Sequence, residues 1–159
     1  LSEHLTDYEQ LMIQYYGAGV QACYRGPRLY DTETTRQMVA KTINWYKKYR
    51  SILNADMIQL RRADGRDWDG LIHVDPSSKQ KALGMLYNPT KEKITRTIPV
   101  PLYYTGLTTT ATLALKDDKS TAKKYTLNTV FSIISIVHNI SSEGAWTTKV
   151  TCIMRPNIS

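Results

Sequence analysis

Residues 32–62 read TETTRQMVAKTINWYKKYRSILNADMIQLRR, and the hydrophobic period changes within them. Up to Leu53 the spacing is helical: Val39, Ile43, Tyr46 and Leu53 lie on one stripe, which Met38, Trp45, Tyr49 and Ile52 widen. Asp31 or Thr32 supplies an N-cap, and Glu33 sits in the first turn, where a carboxylate favours the helix dipole. Lys41, Lys47, Lys48 and Arg50 mark the wetter side. After Leu53 the pattern alternates with period two, as strands do. A face this wide needs a large partner surface, and helices followed by a run of strands predict an α+β chain.

Working outward, residues 7–16 predict a short helix capped by Asp7 and ended by Gly17 and Gly19. Residues 20–24 predict a buried strand, and Gly26-Pro27 punctuates the loop after it. On the other side, strands are expected at 57–61, 71–74, 82–87, 94–104, 110–115, 130–138 and 146–154. Asp64-Gly65, Asp69-Gly70, Asn88-Pro89, Gly106 and Gly144 fall in the turns between them. Pro99 and Pro101 confine the 94–104 segment to a sheet edge, or split it in two.

Composition narrows the function classes. The chain has 159 residues, 42% apolar and 22% charged, and no apolar run approaches the roughly 18 residues of a membrane span. Its formal charge of +7 is uneven: residues 71–124 carry +5 and each flank +1. That excess is nearly all lysine, with Arg96 its one arginine, where a nucleic-acid surface would want arginines and clustered aromatics beside the lysines. Eleven Tyr and 3 Trp against 1 Phe fit sugar-binding faces and interfaces, and fit a thin core near solvent better.

Reactive motifs are scarce. Glycine-rich phosphate loops, zinc-protease helices, nucleophile elbows and CxxC pairs are all missing from the sequence. Cys23 and Cys152 read as two separate buried thiols rather than one disulfide. With His4, His73 and His138 scattered, neither a metal nor a cofactor is called for. Asp64, Asp67 and Asp69 alternate with glycines as a Ca²⁺ loop would, but Arg61, Arg62 and Arg66 make an ion-paired turn the better reading. His138 reads as a cross-strand surface residue, and the glycosylation triplets at Asn139 and Asn157 as chance. The start at Leu1, with no basic and then apolar leader, carries the expectation of a processed or truncated chain.

Several stretches carry a family likeness: GAGVQACYRGPRLYDTETTRQMVAKTINWYKKYRSIL at 17–53, ADMIQLRRADGRDWDGLIHVDP at 55–76, KALGMLYNPTKEKITRTIPVPLYYTGL at 81–107 and KKYTLN at 123–128. Together they resemble the C-terminal part of bacterial glycoside hydrolases of α-galactosidase (melibiase) type. Trp45, Tyr46, Lys47, Tyr49, Arg50 and Leu53 match the last helix of that family's TIM barrel. Tyr87-Asn88-Pro89 and Pro101 to Leu107 look like strands of its β-domain. The resemblance implies a terminal βα unit of a TIM barrel in residues 1–53, then an antiparallel β-sandwich-like domain in 54–159. Residues 129–159 depart from the family pattern and resemble the terminal hairpin of phage tail-hub proteins.

The implied role is a C-terminal, non-catalytic segment supporting a carbohydrate-acting barrel, in the periplasm or secreted. The family's catalytic carboxylates lie on earlier barrel strands, so none transfers to a position here. The alternative is a structural subunit of a phage tail or injection machine. Tyr24, Arg25, Arg28 and Asp31 follow the last barrel-type strand and are the candidate substrate-binding residues. The structural reading of the same residues is an Arg–Asp pair bracing the loop and helix start. A stripe of Trp45, Tyr46 and Tyr49 is expected to remain uncovered. Its partner would then be the rest of a barrel or a second copy, with carbohydrate as a further ligand. The competing outcome is that residues 1–31 fold back over the helix and close a small α+β domain.

Overall fold

The computed structural model describes residues 1–20, 28–90, 92, 94–107, 131–139 and 147–154, the last two segments as backbone. The element order is α1 (Leu5–Gly17), α2 (Glu33–Leu53), β1 (Asp56–Arg61), β2 (Asp69–Val74), β3 (Ala82–Tyr87), β4 (Ile94–Pro101), β5 (Phe131–Asn139) and β6 (Thr147–Met154). The fold is mixed α+β, as the change of period predicts. The expected strand at 110–115 lies outside the described residues, as does that at 20–24 apart from Val20, which is exposed in a bend.

Two antiparallel sheets form, in the orders β1-β2-β3 and β4-β6-β5. In the first, Asp69, Leu71 and His73 pair with Tyr87, Met85 and Leu83. These rows face the helices: Leu71, Met85 and Tyr87 pack with Ile13, Ala18 and Trp45. Leu86, on the other face, packs with Trp68 and with Ile98 of β4. β2 is therefore covered on both sides, which explains why Leu71 to Val74 are all buried and why LIHV is almost continuously apolar. β4 occupies the sheet edge that Pro99 and Pro101 demand, and it gives way to a 3-10 turn at Tyr103–Thr105 rather than running on to 104.

Helix α2 divides its stripe between two partners. Met38 and Val39 pack on Tyr8 and Met12 of α1. Ile52 and Leu53 pack on Leu83, with Trp45, Tyr46 and Tyr49 half-buried around them. Tyr46 also stacks on Tyr16 at 4.7 Å between ring centroids and donates its hydroxyl to Asn54 Oδ1. The stripe expected to lie bare is thus covered by α1 and the first sheet. Of the tyrosines, Tyr8 and Tyr87 join the core, while Tyr30, Tyr103 and Tyr104 stay exposed.

Caps and close approaches fix the geometry. Thr32 caps α2 in a reciprocal box: its Oγ1 accepts from Thr35 N, and Thr35 Oγ1 accepts from Thr32 N. α1 starts two residues earlier than its predicted cap, so Asp7 sits in the first turn instead. At the far end of α1, Gly17 O accepts the Nε2 proton of His73 at 2.7 Å. A side chain at Gly17 would meet the Tyr87 hydroxyl. Gly19 has φ +72°, and a Cβ there would lie 2.1 Å from Leu53 O. Gly65 has φ +70° with nothing within 4 Å.

Gly19 and Gly65, two of the three left-handed glycines among the described residues, separate backbone strain from collision. Gly65→Ala should cost about 1 kcal/mol, the cost of the dihedral alone. Gly19→Ala must also push α1 off the end of α2, and should cost clearly more. Denaturant midpoints of both variants check this; equal losses would mean that the approach of Gly19 to Leu53 is not a fixed feature.

Candidate functional site

Residues 28–36 lead into α2 and line a surface pocket of about 560 Å³, formed by Arg28, Leu29, Tyr30, Asp31, Thr32, Glu33 and Arg36. Two of the four candidate binding residues, Arg28 and Asp31, are brought together here. Tyr24 and Arg25 lie outside the described residues.

Of the two arginines that could form the bracing Arg–Asp pair, Arg25 lies outside the described residues, and the partners of Asp31 among the described residues do not include Arg28. Its Oδ2 accepts from Leu1 N at 2.9 Å and from Ser2 N and Oγ, and its Oδ1 accepts from Thr35 Oγ1 at 2.7 Å. Asp31 therefore ties the start of the chain to the start of α2. The Ser2 N–H and then the Thr35 hydroxyl hold its carboxyl well below the ordinary value. Glu33 is likewise held low, first by Arg36 and then by Gln37; Arg36 forks both Glu33 oxygens at 2.7 Å. Tyr8 closes the back of the segment by donating to Leu29 O.

This chemistry suits contact rather than proton transfer. A general acid or base works best with a pKa near the operating pH, and both carboxyls here are shifted the other way. Arg28 presents an exposed guanidinium beside the exposed faces of Leu29 and Tyr30, which can donate to a polar ligand and pack on its apolar face. No family model, curated protein or solved structure matches the chain.

The acidic turn after β1 is an ion-paired structure. Arg61 binds Asp64 at 2.7 Å and also donates to Trp68 O, while Arg96 reaches Asp67 at 3.1 Å. Asp64 Oδ1 accepts from Arg66 N and Asp67 N, closing the turn at Gly65. Asp69 differs: burial raises its carboxyl pKa, with Arg61 opposing and Asp64 adding to the rise. Among the described residues no group of acids, histidines and cysteines could hold a metal ion, and no helix is long and apolar enough to cross a membrane.

Three buried polar groups escape a motif search: Glu9, His73 and Tyr87. Glu9 and His73 were nevertheless visible as polar residues on apolar faces. Glu9 lies between Tyr8 and Met12 in helical phase, and His73 interrupts LIHV.

Asp31→Asn tests the tie between the chain start and α2. A folded-state carboxyl below its unfolded value contributes stability above the ordinary carboxylate range and loses it as pH falls. The melting temperature of the wild type should exceed that of the Asn variant at pH 6, and the gap should close towards pH 2. A gap that is constant with pH would show that the Asp31 charge is not what joins the two segments.

Proposed function

We propose that this chain is the C-terminal, non-catalytic segment of a glycoside hydrolase, holding the last βα unit of a catalytic barrel and the β-domain behind it. The likeness of the 45–53 helix words, followed in order by the β-domain words, carries the reading. The architecture is compatible with it in two respects. Successive outer helices of a barrel lie side by side, and α1 and α2 pack on one another here. Antiparallel strands begin directly after α2.

On this reading the 28–36 pocket belongs to a loop after a barrel strand, the side on which barrel enzymes meet substrate. Arg28 and Tyr30 would then touch a sugar hydroxyl and a sugar face, while the bond-breaking carboxylates come from other strands. The β-part supports the barrel from behind.

Two measurements bear on the proposal. The chain alone should release no aryl alcohol from an aryl α-galactoside; turnover that disappears in Asp67→Asn or Asp69→Asn would contradict a non-catalytic role. The genomic reading frame should continue upstream through barrel strands ending in carboxylates. A frame lying among tail-assembly genes, with no such strands, would favour the structural-subunit reading instead.

A further inference from the structure

Glu9 is the one carboxylate in the buried set among the described residues, with 1% of its surface exposed. It sits midway along α1, next to Tyr8 and three residues before Met12, in the seam where those two side chains meet Met38 and Val39 of α2. Its Oε1 is 3.3 Å from Lys41 Nζ, longer than a good charge-assisted hydrogen bond. Its Oε2 has no hydrogen-bond partner among the described residues. The Lys41 side chain is 38% exposed, so the cation keeps part of its hydration while the anion has lost nearly all of its own.

A buried carboxylate with one oxygen unanswered is costly, and the neutral acid much less so. We propose that the α1–α2 seam is a proton-linked latch: α1 is held more firmly when Glu9 is protonated, and loosens as Glu9 ionises. Opening would uncover Met38 and Val39, the part of the α2 stripe that α1 covers.

The surrounding groups agree with this assignment. Burial pushes the Glu9 carboxyl up, and Lys41 pulls it part of the way back. On α1 itself the positions one turn away, Leu5, Thr6, Met12 and Ile13, carry no charge. From α2, Lys41 is the cation that faces Glu9. Among the described residues, the other titratable groups of neighbouring segments that touch α1 or its flank sit towards its two ends. Asp31 lies at the start, and Tyr46, stacked on Tyr16, with His73 and Tyr87 at Gly17, lies towards the far end. Gly17 is eight residues from Glu9, about 12 Å along the helix.

The sign follows from linkage. A carboxyl whose folded pKa lies above its unfolded value makes the folded state bind more protons, so stability falls as pH rises between the two values. Removing the charge of Glu9 strands no buried cation, because Lys41 reaches water.

Hydrogen exchange of the α1 amides, converted to protection factors between pH 5 and pH 8, tests the latch. The wild type should lose protection several-fold across this range. Glu9→Gln should be flat with pH, and better protected than wild type at pH 8. Lys41→Met should move the loss to higher pH. Melting temperatures give a second readout, with Glu9→Gln melting higher than wild type at pH 8. Flat protection in the wild type, or a Gln variant that is less protected and melts lower at pH 8, would overturn the proposal.

Discussion

The burial of the α2 stripe is the constraint on which the rest of the molecule depends. A helix of 21 residues with apolar side chains over so wide an arc cannot be satisfied by one neighbour. The chain solves this in two halves. Near its start, α2 takes Tyr8 and Met12 from α1; near its end, it takes Leu83 from the sheet. The polar ties stand at the borders of those halves. Asp31 and Thr35 fix the entry to α2, and His73 fixes the exit of α1 against β2. Deleting a large buried side chain such as Leu53 would be expected to cost about 2–5 kcal/mol, more than any single surface ion pair contributes.

This division also positions the surface pocket. Residues 28–36 must pass from the region of α1 to the first turn of α2, and both ends of the passage are held. Tyr8 binds the Leu29 carbonyl, and the Thr32–Thr35 box sets the helix start. Arg28, Leu29 and Tyr30 are left facing solvent on a braced segment. Contact with a ligand there would not require the backbone to be ordered first, which is where binding otherwise loses free energy.

Much of the fold was legible because period and punctuation mostly agree; Asp69-Gly70, read as a turn, instead opens β2, paired with Tyr87 and Leu86. The helix from 33 to 53 and the strands ending at Arg61, Val74 and Tyr87 follow directly from residue spacing, while the cap was narrowed to Asp31 or Thr32, of which the structure uses Thr32. Coverage of Trp45, Tyr46 and Tyr49 was legible only as the competing outcome, since it depends on α1 folding back, and a stripe does not reveal what lies against it. The pocket was legible only in part. Arg28 and Asp31 could be chosen from their place in the chain, but the actual partners of Asp31, Leu1 and Ser2, are some thirty residues away. A nearby arginine offered itself as a partner, because sequence shows proximity along the chain and not through space.

The account rests on the helices and the first sheet being one packed unit. Unfolding in denaturant, followed at once by far-ultraviolet circular dichroism and by fluorescence of a chain keeping Trp45 as its single tryptophan, tests this most directly. Trp45 lies between α2 and the sheet. The account predicts that both signals change at the same midpoint in one cooperative step. A Trp45 transition that precedes the main loss of secondary structure would contradict it, because the helices would then stand without the sheet that is held to cover them.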